Sequence, residues 1–339
     1  MVLFFLVYIV LALIGIKFAP KDGDSLSFDQ TNALKGVGIM TVFFNHIYND
    51  YLTPYNVLHH TFLDEPFVFF ESIMTGLFVG MFLFFSGYGV IESVKKKGAN
   101  YINQMPVKRI GTTLFNFDIA VLVFLIANLL LHISFTHKHV LLSFLGWESI
   151  GNSNWYIFAY LCCCLFSYIA LSLCSSRKKA IVLASLLVIV YYVLMFFYKQ
   201  PWWYNTIFCY PAGMLYSEYK EKINVFFNKN FHISCLLVLV LFVTSFAFSS
   251  NAIMYNISSV AFSFLCVLFS MRVSLNSKPL IWLGANLFPL YIYQRLPMYV
   301  IGNWHPELIK NDPYMFLFIC IAITLIIGRF VPVFKLGKK

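Results

Sequence analysis

The chain has 339 residues, of which 60% are hydrophobic and only 11% are charged, and its mean hydropathy is +0.77. This composition excludes an ordinary soluble protein, because too few charged side chains are present to cover a water-exposed surface. A net charge of +10 suits either nucleic acid or a membrane surface, so the positions of the basic residues must decide between these partners.

Apolar stretches long enough to cross a bilayer follow one another along the whole chain. A hydrocarbon core of ~30 Å requires roughly 17 to 25 residues in each. No long polar stretch marks a second domain, so residues 1–339 are predicted to form one all-α, polytopic membrane helix bundle. Eleven spans are predicted, beginning near Val2, Gly36, Phe67, Thr112, Ser153, Ala180, Trp203, His232, Ala252, Leu280 and Pro313.

The loops between these spans differ sharply in their number of basic residues. One set of alternate loops carries eighteen Lys and Arg residues, and the opposite set carries only Lys138, Lys199 and Lys310. Cytoplasmic loops are the basic ones in membrane proteins, so this bias predicts an outer N-terminus and a cytoplasmic C-terminus. It also accounts for the net charge without nucleic acid. We expect a multi-pass protein of the plasma membrane, with the lipid bilayer as its main partner.

The first span, residues 1–19, is predicted to be a retained extra helix. A secretory signal peptide would begin with a positively charged region, whereas here the nearest lysines follow the apolar run. The eight cysteines all lie in apolar spans and form no CxxC pair, which indicates small packing residues. No metal site is predicted.

The second span carries an unusual polar stripe. His46 lies eleven residues after Lys35, about 16 Å further along a helix, which is roughly the middle of a bilayer. Asn45 and Asn49 lie nearby, and Asp50 follows His46 at i+4. Such groups serve either as interhelical hydrogen bonds or as part of a proton or substrate path. Their number favours a functional site.

Four segments of the sequence resemble motifs of the acyltransferase 3 family of multi-pass membrane acyltransferases. "LKGVGIMTVFFNHI" is similar to the family's first motif, in which a basic residue precedes a histidine by eleven positions. "FLFFSGYGV", "YINQMPVKRI" and "WLGANLFPLYIYQ" are similar to three further motifs, in the same order. The resemblance covers residues 28–298, which are predicted to form the family-like core.

The sequence departs from the family pattern at four places. Gly80 stands where an acidic residue is frequent, Pro106 replaces a second arginine of the basic loop, and Gln294 stands where many members have a histidine. Trp155 matches a family tryptophan, but it lacks the nearby glutamates of some branches. These departures leave the carboxylate partner of the histidine open.

The resemblance implies transfer of an acyl group from cytoplasmic acyl-CoA, most simply acetyl-CoA, to a hydroxyl of an extracytoplasmic carbohydrate or glycolipid. Histidine is suited to such chemistry because its pKa is near neutral. His46 would either deprotonate the acceptor or carry the acyl group itself. Lys35, Lys108 and Arg109 would bind CoA phosphates, although the positive-inside rule and helix anchoring also explain basic residues there.

The remaining site residues have less specific roles. Asp50 or Glu71 would orient His46, and Glu71 has Arg295 as an alternative partner at a similar depth. Asn45 or Ser86 would donate to the oxyanion. Trp155, Ser86, Gln294 and Arg295 are assigned to the binding of substrate.

Two functions of other classes fit parts of the sequence. A transporter or flippase for a polar, sugar-like substrate would also use a polar stripe in the membrane, but the inverted repeats frequent in transporters are not visible in the sequence. An assembly subunit of a glycan-export machine would need neither His46 nor Arg109. A homo-oligomer is compatible with each of these functions.

Overall fold

The computed structural model describes residues 2–18, 25–55 and 65–337, and this part of the chain is almost entirely helical. The α-helices are α1 (Val2–Leu13), α2 (Phe28–Ile47), α3 (Glu65–Lys97), α4 (Ala99–Met105), α5 (Thr112–Leu130), α6 (His137–Phe144), α7 (Trp155–Leu173), α8 (Arg177–Tyr198), α9 (Cys209–Lys229), α10 (Phe231–Ala247), α11 (Ala252–Arg272), α12 (Lys278–Ala285), α13 (Leu287–Tyr293), α14 (Arg295–Trp304), α15 (Pro306–Asn311) and α16 (Pro313–Phe330). Short π-helical turns cover Tyr48–Leu52 and Pro106–Gly111, and 3-10 turns cover Thr53–Tyr55 and Pro201–Trp203.

Six helical segments of the described residues are long and apolar enough to cross a membrane. These segments are Val68–Lys97, Ala99–Leu130, Trp155–Leu173, Arg177–Tyr198, Ala252–Arg272 and Pro313–Phe330. The pair α9 and α10, which is bent by 106°, would add a seventh if it forms one broken span. The all-α membrane bundle is therefore confirmed as a class. The count of eleven spans and the orientation of the termini stay predictions.

The apolar stretch predicted as one span from Leu280 is divided into α12, α13 and α14. The breaks follow from two prolines, because a proline has no N–H to bond the carbonyl four residues earlier. α12 ends at Ala285, four residues before Pro289, and α13 ends at Tyr293, four residues before Pro297. Each proline lies in the first turn of the next helix, where a missing N–H is tolerated. The division leaves residues 286 and 294 as single-residue links.

A small antiparallel sheet is the departure from the all-α prediction. Strand β1 (Ile16–Phe18) pairs with strand β2 (Val273–Leu275), with Lys17 opposite Ser274. The side chain of Gln30 supports β2: its Nε2 donates to the Val273 carbonyl at 3.2 Å, and its Oε1 accepts from the Leu275 N–H at 2.9 Å. The sheet satisfies backbone groups where α1 and α11 have ended.

Helix α2 packs mainly against α12 and α3. The contact with α12 is close, because a Cβ added at Gly36 would overlap the backbone of Leu280, and one at Gly284 would overlap the backbone of Asn32. On the α3 side, a Cβ at Gly38 would lie 2.7 Å from the ring of Phe82. Small residues permit such close helix packing in membrane proteins. This packing fixes the position of the polar stripe of α2.

Candidate active site

The last turn of α2 and the π-helical turn after it bring three charged or ionisable side chains together. Asp50 Oδ2 lies 3.6 Å from His46 Nδ1 and 2.8 Å from Arg295 Nη2. The first distance is longer than a hydrogen bond, so it is a charge contact, whereas the second is a hydrogen-bonded ion pair. One carboxylate oxygen therefore faces both the imidazole and the guanidinium.

The local fold explains why these groups meet. His46 and Asp50 are four residues apart on one helical surface, where i and i+4 side chains are neighbours. The chain stays helical past Ile47 through the π-helical turn, an irregularity that is frequent at functional sites. Arg295 is the first residue of α14, so the break after α13 delivers its side chain to Asp50.

Exposure decreases from Asp50 towards His46. The side chain of Asp50 is 38% exposed, that of Arg295 25%, and that of His46 only 15%. The imidazole thus lies inside the protein behind a half-exposed carboxylate. Since Nδ1 faces Asp50, Nε2 is the ring nitrogen that points away from the carboxylate.

Two other predicted residues lie in the same part of the chain. Asn45 is half-buried and precedes His46, about 100° around the helix. Glu71 belongs to α3, but its side chain lies outside the described residues, so its pairing with His46 or Arg295 stays a prediction. In the described structure Arg295 contacts Asp50.

Arg109 lies in a second polar group, within the π-helical turn after α4. Its Nε donates to the Tyr160 hydroxyl at 2.9 Å, its Nη1 to the Tyr101 hydroxyl at 2.6 Å, and its Nη2 to the backbone carbonyl of Ser86 at 3.4 Å. Its guanidinium carbon also lies 5.8 Å from the centroid of the Tyr160 ring. The arginine is therefore held by α3, α4 and α7, pointing into the bundle.

The other predicted CoA ligands differ in their surroundings. Lys35 is half-buried on α2, eleven residues before His46, with its ammonium 6.0 Å from the centroid of the Phe85 ring. Arg109 contacts the carbonyl of Ser86, the next residue of α3. Lys108 is exposed on the surface. The structure thus gathers Lys35 and Arg109 in the interior and leaves Lys108 at the edge.

A row of three neighbouring tyrosines begins at Tyr160, which bonds Arg109. Tyr156 is 7% exposed and Tyr291 only 2%, and their ring centroids are 5.1 Å apart. Tyr160 lies one turn along α7, its ring centroid 6.3 Å from that of Tyr156. These tyrosines were missed in the sequence. The available signal was their position in quoted motifs: Tyr156 follows Trp155, and Tyr291 lies in "WLGANLFPLYIYQ".

Ser86 and Trp155 belong to this second group rather than to the surroundings of His46. The Ser86 hydroxyl donates to the Phe82 carbonyl of its own helix at 2.8 Å, while its backbone carbonyl accepts from Arg109. Trp155 is the first residue of α7, half-buried, with its ring centroid 6.2 Å from that of Tyr156. Ser86 is thus placed beside the basic residues.

The sequence model of the acyltransferase domain of the acyltransferase 3 family matches residues 28–328, nearly the whole chain. The chain belongs to the acyltransferase 3 family. No curated protein and no solved structure matches it significantly. The resemblance carried by the four motifs is thereby confirmed, and the protein is a member of a family of membrane acyltransferases. The match begins with α2 and leaves α1 outside.

The structure gives a reason for one departure from the acyltransferase 3 pattern. A Cβ added at Gly80 would lie 3.1 Å from Cys209 Sγ and 3.2 Å from the Cβ of Ser259. A carboxylate side chain at residue 80 therefore has no room between α3, α9 and α11. Among the side chains that the structure describes, the carboxylate placed beside the imidazole is that of Asp50.

Gln294 lies next to Arg295 in the chain, yet the two side chains have different surroundings. Gln294 is 1% exposed and lines a cavity bounded by α1, α2, α13 and α16. Neither its Oε1 nor its Nε2 has a hydrogen-bond partner among the described residues. The predicted binding residue thus lies in the wall of a separate cavity.

Proposed function

We propose that this protein is a membrane O-acyltransferase that transfers an acetyl or short acyl group from cytoplasmic acyl-CoA to a hydroxyl of an extracytoplasmic carbohydrate or glycolipid. The observation that carries the proposal is the arrangement along α2. His46 with Asp50 lies at one end, and Lys35 lies eleven residues earlier, about 16 Å by the rise of a helix. A base and a lysine are thus held on one rigid helix, and Arg109 contacts α3 at Ser86, next to the Phe85 ring that Lys35 approaches.

His46 acts as the general base in the proposed reaction. Its Nε2 takes the proton of the acceptor hydroxyl, and the oxygen attacks the thioester carbonyl carbon, forming a C–O bond. The C–S bond breaks, and the proton passes from the imidazolium to the CoA thiolate, so that the products are the ester and CoA. Asp50, whose carboxylate oxygen lies 3.6 Å from Nδ1, stabilises the charge of the imidazolium while it exists.

Arg109 and Lys35 provide the charge that a CoA phosphate requires. Three of the five N–H groups of Arg109 are engaged by Tyr160, Tyr101 and Ser86, which orient the planar guanidinium. A planar guanidinium suits the bidentate binding of a phosphate better than an ammonium does. Lys108, on the same turn, adds a mobile charge at the edge of this site.

The test is acceptor-dependent release of CoA by the purified protein in detergent. Wild-type protein is incubated with acetyl-CoA and a panel of mono- and oligosaccharides, and free thiol is measured with time. His46→Ala is expected to abolish release above the acceptor-free rate, whereas His232→Ala, at an exposed histidine of α10, is the matched control and retains it. Equal rates in both variants, with acetylated acceptor detected, would remove His46 from the reaction.

A further inference from the structure

A pocket of about 560 Å³ lies between the loop that joins α6 to α7 and the segment that follows α8. Its volume is within the range of small-molecule pockets, ≈ 300–1,000 Å³. The lining includes Glu148 of the first loop and Lys199, Gln200 and Trp202 of the second segment. Both segments belong to the loops with few basic residues, which are predicted to face outwards. The pocket is therefore predicted to open on the side from which the proposed acceptor arrives.

Lys199 is enclosed in the wall of this pocket by two tryptophan rings. Its ammonium lies 4.2 Å from the centroid of the Trp147 ring and 4.5 Å from that of the Trp203 ring. It donates to the Trp147 carbonyl at 2.8 Å and lies 3.5 Å from Glu148 Oε1. The Lys199 side chain is only 13% exposed, so these contacts fix its position. Because the described lining residues carry this one positive and one negative charge, an uncharged ligand fits the pocket best.

Three other side chains of the lining are open to a ligand. Trp202 is 51% exposed, the Glu148 side chain is 35% exposed, and Gln200 is exposed as well. The face of an indole ring is electron-rich and attracts C–H groups, a carboxylate accepts hydrogen bonds, and an amide both donates and accepts them. A sugar ring is the complement, since it has C–H groups on its faces and hydroxyls around its edge. A belt of interfacial aromatic residues would explain the rings but not the carboxylate and amide beside them.

The loop between α6 and α7 also adjoins the helix that carries part of the candidate active site. The Tyr299 ring of α14 lies against Gly151 of this loop, where an added Cβ would be 2.9 Å from the ring. Tyr299 follows Arg295 by four residues, so the two side chains are neighbours on α14. Arg295 in turn pairs with Asp50 at 2.8 Å. The loop that lines the pocket and the carboxylate beside His46 therefore contact the same helix.

We propose that this pocket binds one uncharged sugar ring of the carbohydrate acceptor, an inference that rests on the proposed function. One face of the sugar ring stacks on Trp202. Its hydroxyls donate to the carboxylate of Glu148 and exchange hydrogen bonds with the amide of Gln200. The pocket contributes affinity for the acceptor and takes no part in the transfer step, so binding requires neither acetyl-CoA nor His46.

Saturation-transfer NMR on the full-length protein in amphipol measures this binding without a detergent that itself carries a sugar headgroup. The probes are the methyl glycosides of glucose, galactose, mannose, rhamnose and N-acetylglucosamine, and glycerophosphocholine represents a lipid headgroup. At least one glycoside should receive saturation in the absence of acetyl-CoA, most strongly at the C–H protons of one ring face. A titration gives its Kd, and His46→Ala should bind it with the same Kd.

Variants of the lining test the contacts, each with a matched control. Trp202→Ala should raise the Kd of the bound glycoside about tenfold, whereas Trp304→Ala, at a tryptophan that is 68% exposed, leaves it unchanged. Glu148→Gln should raise the Kd roughly threefold to tenfold. Its control is Glu307→Gln, where the carboxylate also pairs with a lysine but lies outside the pocket. If Glu148→Gln does not fold, Gln200→Ala takes its place, because its side chain is exposed.

Three outcomes would overturn the proposal. These are the absence of saturation in all five glycosides, binding of glycerophosphocholine alone, and an unchanged Kd in Trp202→Ala together with Glu148→Gln. Binding of the phosphocholine alone would show a site for a lipid headgroup.

Failure of this proposal is distinguishable from failure of the proposed acyl transfer. A protein that binds the glycoside through Trp202 but releases no CoA with any acceptor would contradict the transfer and leave the pocket in place. A protein that releases CoA with the same KM for the acceptor in Trp202→Ala as in the wild type would contradict the pocket and leave the transfer in place. If both proposals hold, Trp202→Ala raises that KM about tenfold with little change in kcat.

Discussion

Replacing Asp50 with asparagine is the sharpest perturbation of the candidate site. The amide keeps the shape of the side chain and removes the charge that faces His46 Nδ1 at 3.6 Å. A carboxylate and an imidazolium at that distance attract by about 5 kcal/mol at an effective dielectric constant of ~20 and by about 1 kcal/mol at ~80. Because the Asp50 side chain is 38% exposed, screening brings the value towards the lower end, to about 2 kcal/mol.

This energy acts only while the imidazole is positively charged, which in the proposed reaction is the transition state. About 2 kcal/mol corresponds to a fall in kcat of roughly 30-fold, with KM for acetyl-CoA nearly unchanged. Steady-state CoA release at saturating acceptor measures both constants. Asp29→Asn, at an exposed aspartate in the first turn of α2, is the matched control and keeps wild-type values.

A second substitution at Asp50 distinguishes the loss of the charge from a defect in folding. Asp50→Glu restores the charge and should recover part of kcat, whereas a fold defect in Asp50→Asn would lower the Tm and both kinetic constants together. A well-folded Asp50→Asn protein with wild-type kcat would refute the role given to this carboxylate.

Three further predictions concern the basic group and the packing of α2. Arg109→Lys should raise KM for acetyl-CoA about tenfold with little change in kcat, because an ammonium cannot reproduce the three hydrogen bonds that orient the guanidinium. An unchanged KM would count against phosphate binding by Arg109. Tyr160→Phe should raise the same KM roughly threefold to tenfold through loss of the acceptor for Arg109 Nε, and an effect confined to kcat would contradict this. Gly284→Ala should destabilise the protein by about 1–3 kcal/mol, measured as a lower Tm, because the added carbon overlaps the backbone of α2. Gly89→Ala, where the added carbon has open space around it, should leave the Tm unchanged. Equal Tm values in the two variants would refute the close contact between α2 and α12.

The parts of the site that depend on local spacing could be predicted from the sequence. His46 and Asp50 are an i, i+4 pair, so their proximity follows from the helix alone. Arg295 is predicted at a depth similar to that of Glu71, but its contact with Asp50 depends on the break between α13 and α14. That break is visible only in hindsight in the spacing of Pro289 and Pro297.

Contacts between distant parts of the chain could not be predicted. Tyr101 and Tyr160 bond Arg109, yet among the 21 tyrosines nothing in the sequence distinguishes Tyr160, and Tyr101 is marked only by its position in "YINQMPVKRI". The pairing of Lys17 with Ser274 joins segments at opposite ends of the chain, and three-residue strands give no periodic signal. The count of eleven spans stays a prediction, because hydropathy marks an apolar stretch without showing whether prolines divide it.

The most direct test of the account places donor and acceptor on opposite sides of a sealed membrane. Protein is reconstituted into vesicles, acetyl-CoA is enclosed, a carbohydrate acceptor is added outside, and acetylated acceptor is measured in the outer solution. Wild-type protein should acetylate the outer acceptor, and His46→Ala should give only the rate of empty vesicles. Acetylation that requires both substrates on one side, or that proceeds equally in His46→Ala, would contradict a single site reached from both faces of the membrane.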